Sequence, residues 1–242
     1  MNRCNLVGKV NSIETMGLVD GPGIRIVVFM QGCKLRCLYC HNPETWSCEC
    51  HNSMSVDELV DKVLRYKNYI SKNGGVTFSG GEPLLQSEFI YKCCEKLKQE
   101  NIHICIDTSG VGFDYEKLVD LVDLFIVDVK AVKEEEYKYI TGRDIDEYNT
   151  FMNLLQSKNK KMWLRQVIVP SLNDDEKHME GLAEYANSLR NVEKVELLAY
   201  HTMGVDKYSK LNIKYRLEGV NSLSNTKLEY LKGILNKNLM VK

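Results

Sequence analysis

The chain has little proline, little net charge and no long apolar run. Only four of its 242 residues are proline, and the formal net charge is −1. A balanced charge gives no electrostatic footprint for nucleic acid, so the basic run 158–161 and the acidic run 134–136 are both interpreted as solvated turns. No nucleic-acid partner is expected.

Membrane and secretion signals are also missing from the sequence. The most apolar stretch, 118–129, is interrupted by Asp120, Asp123 and Asp128, which makes it too polar for a transmembrane helix. The first residues do not combine a basic start with an apolar segment. We therefore expect a cytoplasmic protein without membrane contact.

The composition allows a sizeable core. With 44% hydrophobic residues, 242 residues fit one large α/β domain as well as two small ones. The sequence has no internal repeat, no low-complexity tract and no convincing linker. We therefore favour one domain that spans residues 1–242.

Short apolar, β-branched segments alternate with helical patterns along the chain. This alternation predicts a parallel sheet with crossover helices. The predicted strands are 24–30, 76–78, 102–107, 124–129, 162–169 and 195–200. The predicted helices are one that starts at a Ser55–Glu58 capping box and others at 86–100, 114–121, 146–158, 175–190 and 225–237. Six units are too few for a closed eight-stranded barrel, so the expected fold is an open, partial (β/α)6 TIM-type barrel, preceded by a short N-terminal β-hairpin.

The nine cysteines include a group with metal-binding spacing. Cys33, Cys37 and Cys40 form Cys-x3-Cys-x2-Cys, and three thiolates can hold an iron–sulfur cluster while one iron keeps an open position for chemistry. The alternative is a zinc knuckle made by Cys37 and Cys40 with Cys48 and Cys50, although its second pair is tightly spaced and Cys33 would be left over. The remaining cysteines are interpreted as ordinary packing residues: Cys4, Cys93, Cys94 and Cys105.

Polar residues follow the predicted strands. Because the carboxyl ends of parallel strands meet at one edge, these residues should form one site. Alone, Asp107 would more often cap a helix, Lys130 would be solvated, and His201 would be an ordinary histidine. Together they offer a carboxylate for an ammonium group and an ammonium group for a carboxylate or ribose hydroxyl. The glycines of the 79–83 loop allow close backbone approach to a ligand, and Glu82 can anchor that loop from within.

Several segments together resemble the glycyl-radical-enzyme activases of the radical S-adenosylmethionine superfamily. The resemblance covers nearly the whole chain, with Ser109 where asparagine is common, Val129 where leucine is common, and Cys48 and Cys50 as additions. The segments that carry it are 12–25, 40–46, 79–82, 107–110, 128–130, 165–170, 200–201 and 215–219.

The resemblance implies a four-iron, four-sulfur cluster on Cys33, Cys37 and Cys40, with S-adenosylmethionine on the fourth iron. The implied cofactor-binding residues are Tyr39, Cys40, His41, Gly81, Asp107, Asp128, Val129, Lys130, Arg165 and His201. A monovalent cation could be held by Asp107, Thr108, Asp128 and the Ile126 carbonyl. Asp20 matches a position that contacts the substrate peptide.

The reaction implied by the resemblance is removal of a hydrogen atom from a glycine of a partner enzyme by a 5′-deoxyadenosyl radical. The partner expected is pyruvate formate-lyase, because residues 44–54 leave no room for the ferredoxin-like insertion of several other activases. A flavodoxin or ferredoxin is the expected electron donor. The alternatives are an activase of another glycyl radical enzyme, a small-molecule radical enzyme, or, from a different class, a zinc-stabilised binding module or an electron carrier.

Overall fold

An eight-stranded sheet forms the centre of the protein in a computed structural model that describes residues 6–49, 52–70 and 72–240. Its strand order is β3-β1-β2-β4-β5-β6-β7-β8. The strands are β1 (Val7–Gly17), β2 (Arg25–Met30), β3 (Ser53–Ser55), β4 (Gly75–Gly80), β5 (Ile104–Thr108), β6 (Leu124–Asp128), β7 (Met162–Ile168) and β8 (Val192–Ala199).

Six of these strands, β2 and β4 to β8, run parallel to their neighbours in the sheet. They correspond to the six predicted strands, with bounds that differ by a few residues. In the described residues the edge strands β3 and β8 do not pair with each other. The expected open, partial barrel is therefore confirmed.

The N-terminal segment contributes one long strand rather than a separate pair. β1 runs antiparallel to β2, with Val10 opposite Met30 and Gly17 opposite Arg25. The predicted hairpin thus uses the first parallel strand of the barrel as its second arm. Its connection, residues 18–24, lies beside the start of β2.

The helices occupy the predicted segments and two further ones. They are α1 (Val56–Leu64), α2 (Lys67–Ile70), α3 (Ser87–Gln99), α4 (Glu116–Leu121), α5 (Glu134–Thr141), α6 (Asp146–Ser157), α7 (Glu176–Ser188), α8 (Val205–Lys210) and α9 (Asn225–Asn238). The capping box is present, since the Ser55 hydroxyl accepts from the Glu58 N–H at 3.3 Å and the Glu58 carboxylate accepts from the Ser55 N–H at 2.8 Å. None of the helices within the described ranges has the length and apolarity that crossing a membrane requires.

The acidic run 134–136 is a correction to the sequence interpretation. It forms the first turn of α5 instead of a free turn. Three carboxylates at a helix N-terminus face the positive end of the helix dipole, and that interaction favours the helix where composition alone suggested a solvated turn. The basic run 158–161 does follow α6 as a turn, as predicted.

The parallel strands are buried on both faces. Ile26–Val28, 76–78, 104–106 and 125–127 have almost no solvent-exposed side chains, as expected for strands covered by crossover helices. Polar side chains are therefore concentrated where the strands end. That edge of the sheet carries the candidate site.

Candidate active site

A cavity of about 630 Å³ lies at the carboxyl edge of the parallel strands. It gathers almost all of the predicted site residues, although they come from loops far apart in the sequence. The predicted residues on its wall are Asp20, Cys33, Cys37, Tyr39, Cys40, His41, Gly81, Asp107, Thr108, Asp128, Lys130, Arg165 and His201.

Val129, like the predicted cation ligand Ile126, does not line the cavity. Its side chain is 1% exposed and belongs to the hydrophobic core. Its backbone N–H donates to the Arg165 carbonyl at 2.8 Å. Only main-chain atoms of Val129 could therefore serve the site, because strand alternation turns its side chain away from the neighbours at 128 and 130.

The cysteine loop is fixed by main-chain contacts to neighbouring elements. The Arg36 N–H donates to the Thr141 carbonyl at 2.8 Å and the Leu38 N–H donates to the Ile140 carbonyl at 3.0 Å. The Tyr208 hydroxyl donates to the Cys40 carbonyl at 2.9 Å. These bonds hold the loop from both sides of the barrel edge, so the thiols have a defined place on the cavity wall.

The three thiols are free and partly exposed. Burial raises the pKa of Cys37 to about 11, and burial likewise raises the pKa values of Cys33 and Cys40. A metal-bound thiol is deprotonated outright. The donor set therefore suits a site in which iron, rather than solvent, stabilises the thiolates.

Glu82 ties the glycine loop to the next loop of the barrel. Its carboxylate is fully buried and accepts bonds from the Leu84 N–H at 3.0 Å, the Thr108 hydroxyl at 2.5 Å, the Ser109 N–H at 2.8 Å and the Ser109 hydroxyl. This confirms the internal anchor that the sequence predicted. A Cβ atom on the neighbouring Gly81 would lie 2.3 Å from the Gly32 carbonyl oxygen, so glycine is required there.

The charged groups on the wall are paired with one another. Arg165 lies 3.2 Å from Asp107 and 3.1 Å from Glu196, and Lys130 lies 2.6 Å from Asp128. Burial raises the pKa of Asp107 to about 6 even though Arg165 lowers it. Burial also lowers the pKa of Lys130, but Asp128, Cys37 and Tyr39 together outweigh this effect and the net pKa is raised. The cavity wall thus carries positively and negatively charged side chains that are largely shielded from water.

Two histidine rings pack against each other beside the cysteine loop. The rings of His41 and His201 are edge to face with centroids 3.8 Å apart, and His41 Nε2 lies 3.1 Å from the His201 carbonyl oxygen. Burial, together with His41, lowers the pKa of His201. His201 Nδ1 is buried and has no hydrogen-bond partner within the described part of the chain. A ligand hydroxyl would satisfy it.

The cavity-lining residues that the sequence did not predict include three from β7 and β8. Trp163 lies two residues before Arg165 on β7, and Lys194 and Glu196 lie two residues apart on β8. Alternate residues of a barrel strand face the same side, so strand periodicity around Arg165 could have identified Trp163. Lys194 Nζ stacks 4.6 Å from the Trp163 ring centroid.

The zinc alternative receives no support from the described residues. Among residues 6–49, 52–70 and 72–240, no group of three Cys, His, Asp or Glu side chains is arranged to hold a metal ion. Cys48 is exposed, while Cys4 and Cys50 lie outside the described residues. In a four-iron cluster the thiolates bind different irons, so they need not converge on one point as a zinc site demands.

An open parallel barrel with three cysteines in the loop after its first parallel strand defines the class of radical S-adenosylmethionine enzymes. The family described as Radical SAM superfamily matches residues 27–183. Solved structures agree on the fold: Streptococcus suis SuiB bound to precursor peptide SuiA has a TM-score of 0.66, with 15% identity over 93% of this chain and 47% of that chain. A domain of a pyruvate-formate lyase-activating enzyme from Bacteroides vulgatus has a TM-score of 0.55, with 22% identity over 68% of this chain and 94% of that chain.

Relatives with higher sequence identity identify a family within this superfamily. The pyruvate formate-lyase-activating enzyme of Clostridium pasteurianum is 45% identical over 96% of this chain and 98% of its own length. That of Staphylococcus epidermidis is 42% identical over 89% of this chain and 90% of its own length. The chain belongs to the family of pyruvate formate-lyase-activating enzymes within the radical SAM superfamily. Membership implies a four-iron, four-sulfur cluster and S-adenosylmethionine as cofactors.

Proposed function

We propose that this protein activates pyruvate formate-lyase by generating a glycyl radical on it under anaerobic conditions. The observation that carries the proposal is the convergence of three thiols, a glycine loop, two largely buried charge pairs and His201 on one cavity. The identity to activating enzymes, which spans nearly the whole chain, supports the same reaction. The segment 44–54 is too short to hold an inserted cysteine-rich module, which favours the pyruvate formate-lyase type over activases that carry one.

Cys33, Cys37 and Cys40 would hold the cluster through their thiolates. When bound, the cluster and S-adenosylmethionine supply a 5′-deoxyadenosyl radical that can remove the hydrogen atom from the glycine α-carbon. The protein orients the reactants and excludes water. The main-chain anchors of the cysteine loop serve the first task, and the buried walls serve the second.

The remaining wall residues fit an amino-acid-like nucleoside cofactor. Gly81 leaves space for close backbone contact with the methionyl amine, and the Lys130 ammonium group suits a carboxylate or ribose hydroxyl. His201 Nδ1 would take a ribose hydroxyl, while Tyr39 and His41 lie along the adenine. Asp107 and Asp128 remain candidates for a cofactor contact, and with Thr108 and the Ile126 carbonyl for a monovalent cation. Arg165 orients Asp107 through their ion pair.

Four further assignments belong to the proposal. Asp20 on the cavity wall would contact the substrate peptide, and a flavodoxin or ferredoxin would deliver the electron. An oxygen-sensitive cluster and an anaerobic partner suit the cytoplasm. One domain over residues 1–242 would carry all of these activities.

The direct test is incubation of the anaerobically reconstituted, reduced protein with S-adenosylmethionine and pyruvate formate-lyase. A glycyl radical signal in electron paramagnetic resonance is expected, with one 5′-deoxyadenosine formed per radical. A signal obtained only with a different glycyl radical enzyme would reassign the partner. Cofactor cleavage without a radical on any such enzyme, but with a small-molecule product, would contradict the activase function.

Separate replacement of Lys130 and His201 by alanine is expected to weaken S-adenosylmethionine binding while the cluster stays assembled. Loss of a charge-assisted contact costs roughly 1.5 to 3 kcal/mol, or about ten- to a hundredfold in affinity. Anaerobic calorimetry and iron analysis measure the two quantities. Lys237→Ala, at an exposed position of α9, is the control. Affinity equal to that of the control in both variants would remove these residues from the site.

The double replacement of Cys48 and Cys50 by serine is expected to retain full iron content and activity. Two thiols cannot hold a second cluster, because such a cluster normally draws on four cysteines. Cys93 and Cys94 are buried on α3 and Cys105 is buried on β5, so they are not available as further ligands. Iron and sulfide analysis with absorption spectroscopy checks this, and loss of about half the iron would establish a second cluster.

A further inference from the structure

The connection between β1 and β2 forms part of the cavity wall without being held there by side-chain packing. Leu18, Val19, Asp20 and Gly21 line the cavity, yet the side chains of Leu18 and Val19 are 71% and 76% exposed. Apolar burial therefore does little to fix this turn. Its position depends on hydrogen bonds to its main chain.

Three buried side chains bind three carbonyl groups of this turn. Arg165 donates to the Val19 carbonyl at 2.7 Å, Thr77 donates to the Asp20 carbonyl at 2.7 Å, and Arg25 donates to the Pro22 carbonyl at 3.1 Å. Arg165 belongs to the charged wall already described. Thr77 and Arg25 have no part in that wall and are not on the cavity surface.

Arg25 and Thr77 form one connected network below the turn. Arg25 Nε donates a hydrogen bond to the Thr77 hydroxyl at 2.6 Å, and this hydroxyl in turn donates to the Asp20 carbonyl. The other side of the guanidinium group donates to the carbonyls of Val76 and His103. The network thus joins the turn to the starts of β4 and β5.

Burying the Arg25 charge in this network costs free energy, which indicates that the geometry of the network is needed. Arg25 is fully buried, and the acceptors it binds are carbonyls, a hydroxyl and an imidazole nitrogen rather than a carboxylate. Burying a charge is unfavourable unless its donors are all satisfied. A planar group with five donors can meet several segments at once. The Arg25 charge also opposes the effect of burial, which raises the pKa of Asp20.

We propose that Arg25 and Thr77 are positioning residues for the protein substrate. By holding the carbonyls of Asp20 and Pro22, they keep the Asp20 carboxylate and the exposed Leu18 and Val19 side chains where the glycine-bearing segment binds. The inference rests on the proposed function. It assigns substrate engagement to two buried residues that do not line the cavity themselves.

Thr77→Val tests the proposal because valine keeps the size and removes the hydroxyl. It leaves the Asp20 carbonyl and Arg25 Nε without their partner, and we expect KM for pyruvate formate-lyase to rise roughly tenfold, with a much smaller change in kcat. Iron content and the Kd of S-adenosylmethionine are expected to stay unchanged. Thr77→Ser, which restores the hydroxyl, is expected to return KM to near the wild-type value.

Ser87→Ala is the matched control, since it removes a buried hydroxyl that donates to a backbone carbonyl, at 2.8 Å, away from the turn. An unchanged KM in Thr77→Val overturns the proposal. So does an equal rise in Thr77→Ser, or a parallel loss of cofactor affinity. Absence of any glycyl radical with the wild-type protein would instead overturn the proposed function, and this inference with it.

Asp20→Asn provides a second measurement that does not disturb the buried network. If the network acts through the Asp20 side chain, Asp20→Asn alone raises KM. The rise in KM of the double variant is then smaller than the product of the rises in the two single variants. A normal KM in Asp20→Asn overturns the inference even if Thr77→Val folds poorly. Full multiplication of the two effects in a folded double variant also overturns it.

Discussion

Replacing Cys33, Cys37 or Cys40 individually by alanine is expected to abolish the cluster and all radical formation. Each thiolate supplies the protein ligand of one iron, and the loop offers no fourth thiol in the described residues that line the cavity. Iron and sulfide analysis of anaerobically reconstituted protein should give near-zero content. The reduced variants should also lack a cluster signal in electron paramagnetic resonance.

Cys93→Ala is the control for this experiment. Its thiol is fully buried on α3 and packs in the hydrophobic core, so its removal costs some stability but no iron. Full iron content in any of the three loop variants would refute the ligand assignment. Equal iron loss in Cys93→Ala would attribute the effect to general destabilisation.

Replacing Glu82 by glutamine is expected to have the second-largest effect. Both carboxylate oxygens accept bonds from two donors each, and an amide would place an NH2 group against one of these pairs. Unsatisfied buried donors cost roughly 2 to 4 kcal/mol in total. We expect a fall in melting temperature of roughly 5 to 10 °C. We also expect weakened S-adenosylmethionine binding, because the glycine loop is no longer fixed.

Glu88→Gln makes the same chemical change at an exposed position of α3 and is expected to be nearly neutral. Thermal unfolding followed by circular dichroism and anaerobic calorimetry with S-adenosylmethionine supply the two readouts. A Glu82→Gln protein with the stability and affinity of Glu88→Gln would show that the carboxylate is not the anchor of the two loops.

Much of the fold could be predicted because its signals are local. β-branched segments, the Ser55 capping box and turn residues between them depend on neighbours within a few positions, and the structure has strands and helices at those places. α8 was not predicted, since a six-residue helix has too little apolar periodicity. Its Tyr208 is nevertheless one of the contacts that hold the cysteine loop.

The candidate site was predictable to the extent that strand ends converge. Cys33, Gly81, Asp107 and His201 could be grouped from topology alone, because parallel strands end at one edge. The partners of the charged side chains in their ion pairs could not be deduced from topology. That Arg165 binds both Asp107 and Glu196 depends on side chains from three strands meeting across the barrel.

Residue spacing along the chain is enough to predict the alternation of strands and helices, the three-cysteine loop and the family resemblance. The tertiary structure decided which charges neutralise one another, which way Val129 faces, and that Arg25 and Thr77 lie beneath the Asp20 turn. These features join residues as far apart as 58 positions. They depend on the register and curvature of the sheet, which no local pattern encodes.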